Sequence, residues 1–231
     1  MKARDEQRFT TPSPIRLDIK IPAGDIELTT SDSGETVVTI DAPQRVLDEM
    51  RVELVGTHLT VEWRRKSLFN GWMHHDGAME IRVELPHDSR IKISNVSGET
   101  VLNGQYGDVD VNTVSGGVRL PQIVGDVTLK SVSGDLKAQS IDGSVSVKSV
   151  SGDVSVERLH GGRVEVQNVS GDVRLGVVEG INLDVDASSA SGEVSSELPL
   201  SDVPTGEAAQ GPTLVVRSRT VSGDFRVVRA A

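Results

Sequence analysis

A glycine recurs at every ninth residue through the middle of this chain. The period holds from Gly98 to Gly161 and, after one inserted residue, continues from Gly162 to Gly180. Every second glycine lies in a stronger Val-Ser-Gly-Asp motif, or a near relative of it, and these motifs begin at Val96, Val114, Val132, Val150, Val169, Ala190 and Val221. A fixed short period is typical of a solenoid, in which each repeat buries its apolar side only against its neighbours.

The residues between the glycines predict one short strand and one bend per unit. With the glycine as position zero, positions +2, +4 and +7 are apolar in all eight units that begin from Gly107 to Gly171, and position +3 is polar. The alternation from +2 to +4 indicates a strand with one buried face, and the step to +7 breaks that alternation. We therefore expect three inward side chains per unit, with each glycine supplying a positive φ or a tight corner.

The repeat length predicts the fold class. Because the stronger motif recurs at every second glycine, two nine-residue units should complete one coil. We predict an all-β chain that forms a single parallel β-solenoid, like a right-handed β-helix, since parallel crossovers are nearly always right-handed. A sandwich of antiparallel hairpins is the competing fold, but it does not require an identical repeat of two units. With only 3% aromatic residues, the core must be built mainly from valine.

The repeat also divides the chain into three parts. Residues 1–12 are polar, and we expect them to be loose. Residues 13–90 contain strand patterns without a strict period, so we expect irregular coils that cap one end. Residues 91–231 should form the regular repeats, with the last coil, from Leu214 to Val228, closing the other end. Such caps matter because uncovered strand edges promote polymerisation.

Stacked coils should align equivalent polar residues into columns. The expected hydroxyl column contains Ser97, Ser115, Ser133, Ser151 and Ser170, and the expected carboxylate column contains Glu99, Asp135, Asp153 and Asp172. We expect exposed ion pairs between Asp135 and Lys137 and between Asp172 and Arg174. The carboxylates could bind calcium, but the chain lacks the G-G-x-G-x-D-x-U-x pattern of calcium-binding β-rolls. We favour the alternative that serine and aspartate hydrogen-bond the turn backbone.

Residues 64–77 interrupt the strand pattern with a long segment that is basic and aromatic. The residues that make it a candidate partner-binding loop are Arg64, Arg65, Lys66, Phe69, Trp72, His74 and His75. Exposed aromatic rings beside basic groups suit contact with a protein or a membrane interface. In the alternative interpretation, Phe69 and Trp72 fold back and plug the open end of the core. A metal site at His74, His75 and Asp76 lacks a distant ligand, and adjacent histidines in a strand point to opposite faces, so the sequence predicts no metal, cofactor or catalytic site.

Charge and composition exclude several classes of protein. The net charge of −10 argues against non-specific nucleic-acid binding and against simple attraction to anionic membranes. Cysteine is absent, so the chain forms neither disulfides nor thiolate metal sites. The sequence contains no 18-residue apolar run and no apolar signal region near its start. We therefore expect a cytoplasmic location, with the envelope or surface as the alternative if a leader was removed.

Three groups of residues resemble a known family. They are the Val-Ser-Gly-Asp repeats from Val96 to Asp172, the segment from Ile81 to Pro86, and the closing segment from Thr220 to Asp224. They resemble the bacterial β-strand-repeat family of unknown function that is labelled "putative adhesin", over most of residues 14–229. The resemblance implies a right-handed β-helix-like fold and a role in envelope stress or at the surface. It supplies no catalytic residues.

The sequence therefore predicts a non-enzymatic scaffold or binding protein. Its expected partner is a protein or a second copy of the same chain. The alternatives are a calcium-stabilised β-roll and a β-helix enzyme that acts on polysaccharides. An enzyme of that kind needs long loops with clustered carboxylates or bases, whereas the turns of the eight regular units are minimal.

Overall fold

The chain is built almost entirely from short strands. The computed structural model describes residues 2–64, 79–198 and 212–230. Its strands are β1 (Lys2–Thr10), β2 (Arg16–Lys20), β3 (Asp25–Ser31), β4 (Glu35–Pro43), β5 (Met50–Val55), β6 (His58–Trp63), β7 (Glu80–Pro86), β8 (Arg90–Ser94), β9 (Thr100–Asn103), β10 (Gln105–Tyr106), β11 (Val109–Asn112), β12 (Val118–Ile123), β13 (Val127–Lys130), β14 (Leu136–Ile141), β15 (Val145–Lys148), β16 (Val154–Leu159), β17 (Gly162–Ser170), β18 (Val173–Val177), β19 (Asn182–Ser191), β20 (Val194–Ser196), β21 (Thr213–Ser222) and β22 (Phe225–Arg229). The helix α1 (Gln44–Leu47) is a single turn. The predicted all-β class is confirmed, and no helix in the described ranges is long and apolar enough to cross a membrane.

The strands form two sheets of mostly parallel strands. The first sheet has the order β1-β4-β7-β3-β9-β12-β14-β16-β18-β22-β20, with β10 beside β12, and the second has the order β19-β21-β17-β15-β13-β11-β8-β2-β6-β5. Through the middle of the chain, successive strands alternate between the sheets. Paired residues lie two nine-residue units apart, as for Val109 with Val127 and Leu136 with Val154. We call each stretch of two units a coil, and each coil contains one strand from each sheet.

The N-terminal end departs from the predicted parallel pattern. The pairs β1–β4, β4–β7 and β5–β6 are antiparallel. The expectation that residues 1–12 are loose is wrong, because β1 pairs with β4 along its whole length. Backbone hydrogen bonds to β4 do not require apolar side chains, so a polar segment serves as this strand. Its charged side chains also discourage further edge pairing. One of them is Arg4, whose Nε lies 2.9 Å from Oδ1 of Asp41.

The order of the coils in space does not follow the chain at either end. Strands β2 and β3 lie between β6 and β7 on one side and β8 and β9 on the other. Strands β21 and β22 lie between the β17–β18 coil and the β19–β20 coil. The expectation that the last coil, from Leu214 to Val228, closes the far end is therefore wrong, since β19 and β20 are the edge strands there.

Units that end in Val-Ser-Gly alternate with units that do not, and the two kinds bury different positions. Positions +2 and +4 are buried as predicted, and at +7 the side chains of Ile123, Ile141 and Leu159 are also buried. In the alternate units, however, the +7 residues Val132 and Val150 are about half exposed. The expectation of three inward apolar side chains therefore holds fully in three of the eight units, because Val178 is only half-buried and four valines at this position are exposed.

A buried polar residue accompanies the exposed valine in these units. In the units that end in Val-Ser-Gly, the residue before the valine points inward and is polar, and these residues are Thr113, Ser131, Ser149, Asn168 and Thr220. The Ser149 hydroxyl donates a hydrogen bond to the carbonyl of Ser151 at 3.1 Å, and Thr113 and Thr220 bond the carbonyl two residues ahead in the same way. The Ser131 hydroxyl is buried without a hydrogen-bond partner in the described part of the chain, and Val132 still faces solvent, so this bond supports the corner at some coils but is not required for the outward orientation.

Glycines are stacked at two corners of the fold, in one column that includes Gly98 and Gly116 and in another that includes Gly125 and Gly143. The two columns place different demands on the backbone. Gly116 has a φ of +124°, and a Cβ there would lie 2.0 Å from the carbonyl oxygen of Gly98 in the adjacent coil. Gly143 does not have a positive φ, but a Cβ there would lie 2.2 Å from the carbonyl oxygen of Gly125. Both corners therefore need glycine because the coils stack backbone against backbone, and the Val-Ser-Gly corner also needs its unusual φ.

Candidate functional site

A column of exposed valines runs along one corner of the fold. This valine column consists of Val96, Val114, Val132, Val150, Val169 and Val221, whose exposed fractions range from 45% to 54%. Backbone pairing holds it in place, as shown by the Ser133 N–H, which donates to the Val114 carbonyl at 2.8 Å. The five predicted column serines are aligned as expected, through parallel bridges from Ser97 to Ser170. With strands about 4.8 Å apart, the valine column is about 24 Å long.

A groove of about 630 Å³ lies beside the valine column. This basic groove is lined by Lys130, Ser131, Lys148, Ser149, Val150, Gln167, Asn168, Val169, Arg219, Thr220 and Val221. Lys130, Lys148, Gln167 and Arg219 are register neighbours in the parallel strands β13, β15, β17 and β21. One wall of the groove is therefore aliphatic and the other is mainly cationic.

The cations of the basic groove lack the ion pairs that many other surface cations form. Lys130, Lys148 and Arg219 are exposed, and within the described ranges none of them has a carboxylate oxygen within 4.0 Å. By contrast, Arg119 pairs with Glu99 at 2.8 Å. The described lining contains no aspartate or glutamate. The groove is thus a positive strip on a chain whose net charge is −10.

The predicted carboxylate column serves the backbone. Oδ1 of Asp135 accepts the N–H of Asp153 at 2.9 Å, and Oδ1 of Asp153 accepts the N–H of Asp172 at 2.8 Å. The same contact joins Asp172 to Asp224. These bonds confirm the interpretation that the aspartates hydrogen-bond the turn backbone, and they offset the repulsion between stacked carboxylates.

The two ion pairs expected within that column are absent from the described part of the chain. Asp135 does not pair with Lys137, and Asp172 does not pair with Arg174. Each carboxylate instead turns along the stacking axis toward a backbone N–H. The described residues also contain no group of three or more histidine and acidic side chains that could hold a metal ion.

The opposite corner contains a second aspartate column that the sequence interpretation missed. Oδ1 of Asp108 accepts the N–H of Asp126 at 3.1 Å, and Oδ1 of Asp126 accepts the N–H of Ser144 at 2.7 Å. The signal was present in the repeated Gly-Asp pairs at Gly107 and Gly125. Both corners therefore use the same device to join neighbouring coils.

The fold also brings Ser140, His160 and Asp142 together, which the sequence interpretation did not anticipate. Nε2 of His160 lies 3.2 Å from the Ser140 hydroxyl and 3.8 Å from Oδ1 of Asp142. In a catalytic triad the serine and the carboxylate contact opposite ring nitrogens, so that the carboxylate orients the base. Here both contact the same nitrogen, and this arrangement does not activate the serine.

The predicted partner-binding loop lies almost wholly outside the described residues. This applies to Arg65, Lys66, Phe69, Trp72, His74 and His75. Arg64 is described, and its Nε lies 3.1 Å from Oε2 of Glu62. Just before it, Nε1 of Trp63 donates to Glu49 at 2.8 Å. Strands β6 and β7 flank the loop. They lie near the end of the fold at which β5 and β1 are the edge strands of the two sheets.

The chain belongs to the Toastrack DUF4097 family, whose model matches residues 15–199 and, in an overlapping second match, residues 90–228. DUF4097 is a family of unknown function, and the resemblance predicted from the repeats is confirmed. A comparison with curated proteins finds no match.

Solved structures resemble this chain along almost its whole length. A putative adhesin from Bacteroides fragilis is 14% identical, with a TM-score of 0.59 over 97% of each chain. A putative cell adhesion protein from Clostridium sporogenes is 12% identical, with a TM-score of 0.44 over 98% of this chain and 100% of its own. At such an identity, the likeness to the first structure shows the fold alone, a β-solenoid-like repeat.

Proposed function

We propose that this member of the Toastrack DUF4097 family is a non-enzymatic binding scaffold, and that the valine column and the basic groove together are its binding face. The observation that carries the proposal is the exposure of six aligned valines beside cations that have no carboxylate partner in the described ranges. A contiguous apolar strip of this kind on a protein surface usually marks an interaction site. Because each valine belongs to a backbone ladder, the face is held rigid before a partner arrives, which lowers the entropic cost of binding.

The finer architecture that we propose is a single right-handed solenoid in which two nine-residue units form each coil. The regular register between parallel partners supports it, as does the alternation of the chain between the two sheets. Residues 13–90 would then be its irregular end, and 91–231 its regular part.

A binding role fits the chemistry of the described surface better than catalysis does. Its histidines, His58, His87 and His160, lie at separate places, and each faces one aspartate within 4.0 Å. The Ser140 cluster lacks the geometry of a triad. The aspartates of both columns are occupied by backbone N–H groups. The turns of the regular units therefore serve structure, and the exposed corner remains for recognition.

We propose residues 64–77 as a second contact, on the strength of their aromatic and basic side chains. Protein binding, self-association and adhesion are the forms of contact that this composition and the family suggest. A cytoplasmic location stays a prediction, which cell fractionation tests.

The experiment compares two matched triple variants. Val132→Ser, Val150→Ser and Val169→Ser together remove the apolar column, whereas Val55→Ser, Val124→Ser and Val194→Ser change similarly exposed valines elsewhere. The immobilised full chain, the column variant and the control variant are exposed to extract of the source cells, and captured proteins are quantified. We expect the column variant to lose specific capture while its unfolding midpoint changes little.

Equal capture by the column variant and the intact chain would refute the binding face. Equal loss in the control variant would do so as well, because the column would then not be special. A Phe69→Ala and Trp72→Ala variant tests the second contact in the same assay. If it loses the partner without losing stability, the loop binds, and if it loses stability, the loop caps the core.

A further inference from the structure

We propose that the basic groove binds a short, extended, acidic segment of a partner protein. This inference rests on the proposed binding role and names the chemistry of the partner. The groove has the two walls that such a segment requires, namely the aliphatic valine column and the row of Lys130, Lys148 and Arg219. Side chains of an extended peptide alternate between opposite sides, so acidic residues can face the cations while apolar residues face the valines.

Charge complementarity points to an acidic ligand. Three exposed cations line the groove, and its described lining contains no carboxylate. Elsewhere in the described chain, cations such as Arg4, Arg119 and Arg226 have close carboxylate partners, at 2.9, 2.8 and 2.7 Å. A row of cations without such partners repels itself, and a negative ligand relieves that repulsion.

The groove also sets the length of the segment. Lys130, Lys148, Gln167 and Arg219 occupy four adjacent strands, β13, β15, β17 and β21. Three intervals of about 4.8 Å give roughly 14 Å, which is about four residues of an extended chain at about 3.3 Å each. Beside this row, a neighbouring pocket contains Glu165 and Asp186 together with Arg217 and Arg219, so the strip without carboxylates is confined to the row itself. A segment of four or five residues therefore fits.

Two observations favour side-chain recognition of a peptide. The corner backbone is already paired between coils, for example from the Ser151 N–H to the Val132 carbonyl at 2.9 Å, so strand addition is not favoured at this corner. The described lining contains no aromatic ring on which a nucleic-acid base would stack. Aliphatic valines instead match the branched and straight apolar side chains of a peptide.

The test is an NMR titration of the full chain with synthetic five-residue peptides. One peptide alternates glutamate and valine, and its counterpart replaces each glutamate with glutamine. We expect the glutamate peptide to shift backbone signals around Lys130, Lys148 and Val150, with an affinity about tenfold higher than that of the glutamine peptide. Added salt should weaken binding, because these charges are exposed.

Matched charge reversals locate the site. Lys130→Glu with Lys148→Glu should abolish the shifts. Lys137→Glu with Arg158→Glu makes the same change in charge on exposed cations of the other sheet and should leave the shifts in place. Equal loss in both variants would overturn the proposal, because a general charge effect would then explain binding.

The outcomes separate this inference from the proposed function. If the glutamate peptide does not bind, or if an acidic polysaccharide such as polygalacturonate binds in the groove instead, the inference is overturned. The binding face then stands or falls on whether the valine variant loses its captured partner. If the peptide binds and the Lys130 and Lys148 variant does not bind it, the partner is an acidic segment.

Discussion

Replacing Gly116 with alanine should destabilise the stack through two separate effects. The φ of +124° at this residue lies in a region that L-residues rarely adopt, and holding a side chain there costs about 1–3 kcal/mol. The new Cβ would also lie 2.0 Å from the carbonyl oxygen of Gly98, and relieving that clash by moving two coils apart costs about 1–3 kcal/mol. We therefore expect the free energy of unfolding to fall by roughly 2–6 kcal/mol.

Two control substitutions separate these effects. Gly34→Ala introduces a side chain at a φ of +72° with open space around it, so it should cost only the strain, about 1–2 kcal/mol. Gly117→Ala has no positive φ, and its nearest atom lies 3.5 Å away, so it should be neutral or stabilise by up to about 1 kcal/mol. Urea unfolding followed by circular dichroism measures all three. If Gly116→Ala costs no more than Gly34→Ala, backbone contact between coils is not what requires this glycine.

Three further predictions concern the core, a buried hydroxyl and acid. Ile141→Ala should cost about 2–5 kcal/mol in urea unfolding, whereas Val132→Ala, at the equivalent repeat position, should change stability by less than about 0.5 kcal/mol; equal costs would contradict the outward orientation. Tyr106 is buried, which raises the pKa of its hydroxyl, and the hydroxyl donates to a backbone carbonyl at 3.0 Å. Tyr106→Phe should therefore cost about 1–3 kcal/mol by thermal unfolding, and an unchanged midpoint would show that the carbonyl finds another donor. An arginine hydrogen bond lowers the pKa of Asp41, and a backbone N–H lowers that of Asp224. Because both pKa values are depressed in the folded state, their stabilisation is present above pH about 4 and is lost as pH falls through the folded pKa values. Urea midpoints measured from pH 6 to pH 2 should drop less steeply when both residues are changed to asparagine, and an identical slope would refute the assignment.

The regular strands could be predicted because their signal is local. The Val-x-Val alternation of Val145–Lys148 and its equivalents depends only on neighbouring residues, and the spacing of two units then gives the register. Strand β1 could not be predicted this way. Its sequence is polar, and its partner β4 is distant in the chain, with Lys2 opposite Pro43, so only the backbone pairing reveals it.

The orientation of the valine column was harder to predict from sequence. Val132 and Ile141 occupy the same repeat position, and both are apolar, yet one faces solvent and the other the core. A serine precedes both residues, Ser131 in one case and Ser140 in the other, so the preceding residue does not distinguish them. The distinguishing signal is the residue that follows, because every valine of the column is followed by Ser-Gly, whereas Val124, Asp142 and His160 follow the inward residues. The basic groove is a tertiary feature, since Lys148 and Arg219 become near neighbours only when β21 stacks against β17.

The sequence by itself determined the repeating unit of this protein, a short strand with a glycine corner, and the spacing of two such units between paired strands. These features follow from backbone geometry within a few residues, so they appear directly in the pattern. Only the tertiary structure decided which coil stacks on which. Parallel strands join through backbone hydrogen bonds that are alike in every coil, so the period does not fix their order. The last coil could therefore insert before β19 and β20, and that insertion places Arg219 in the basic groove.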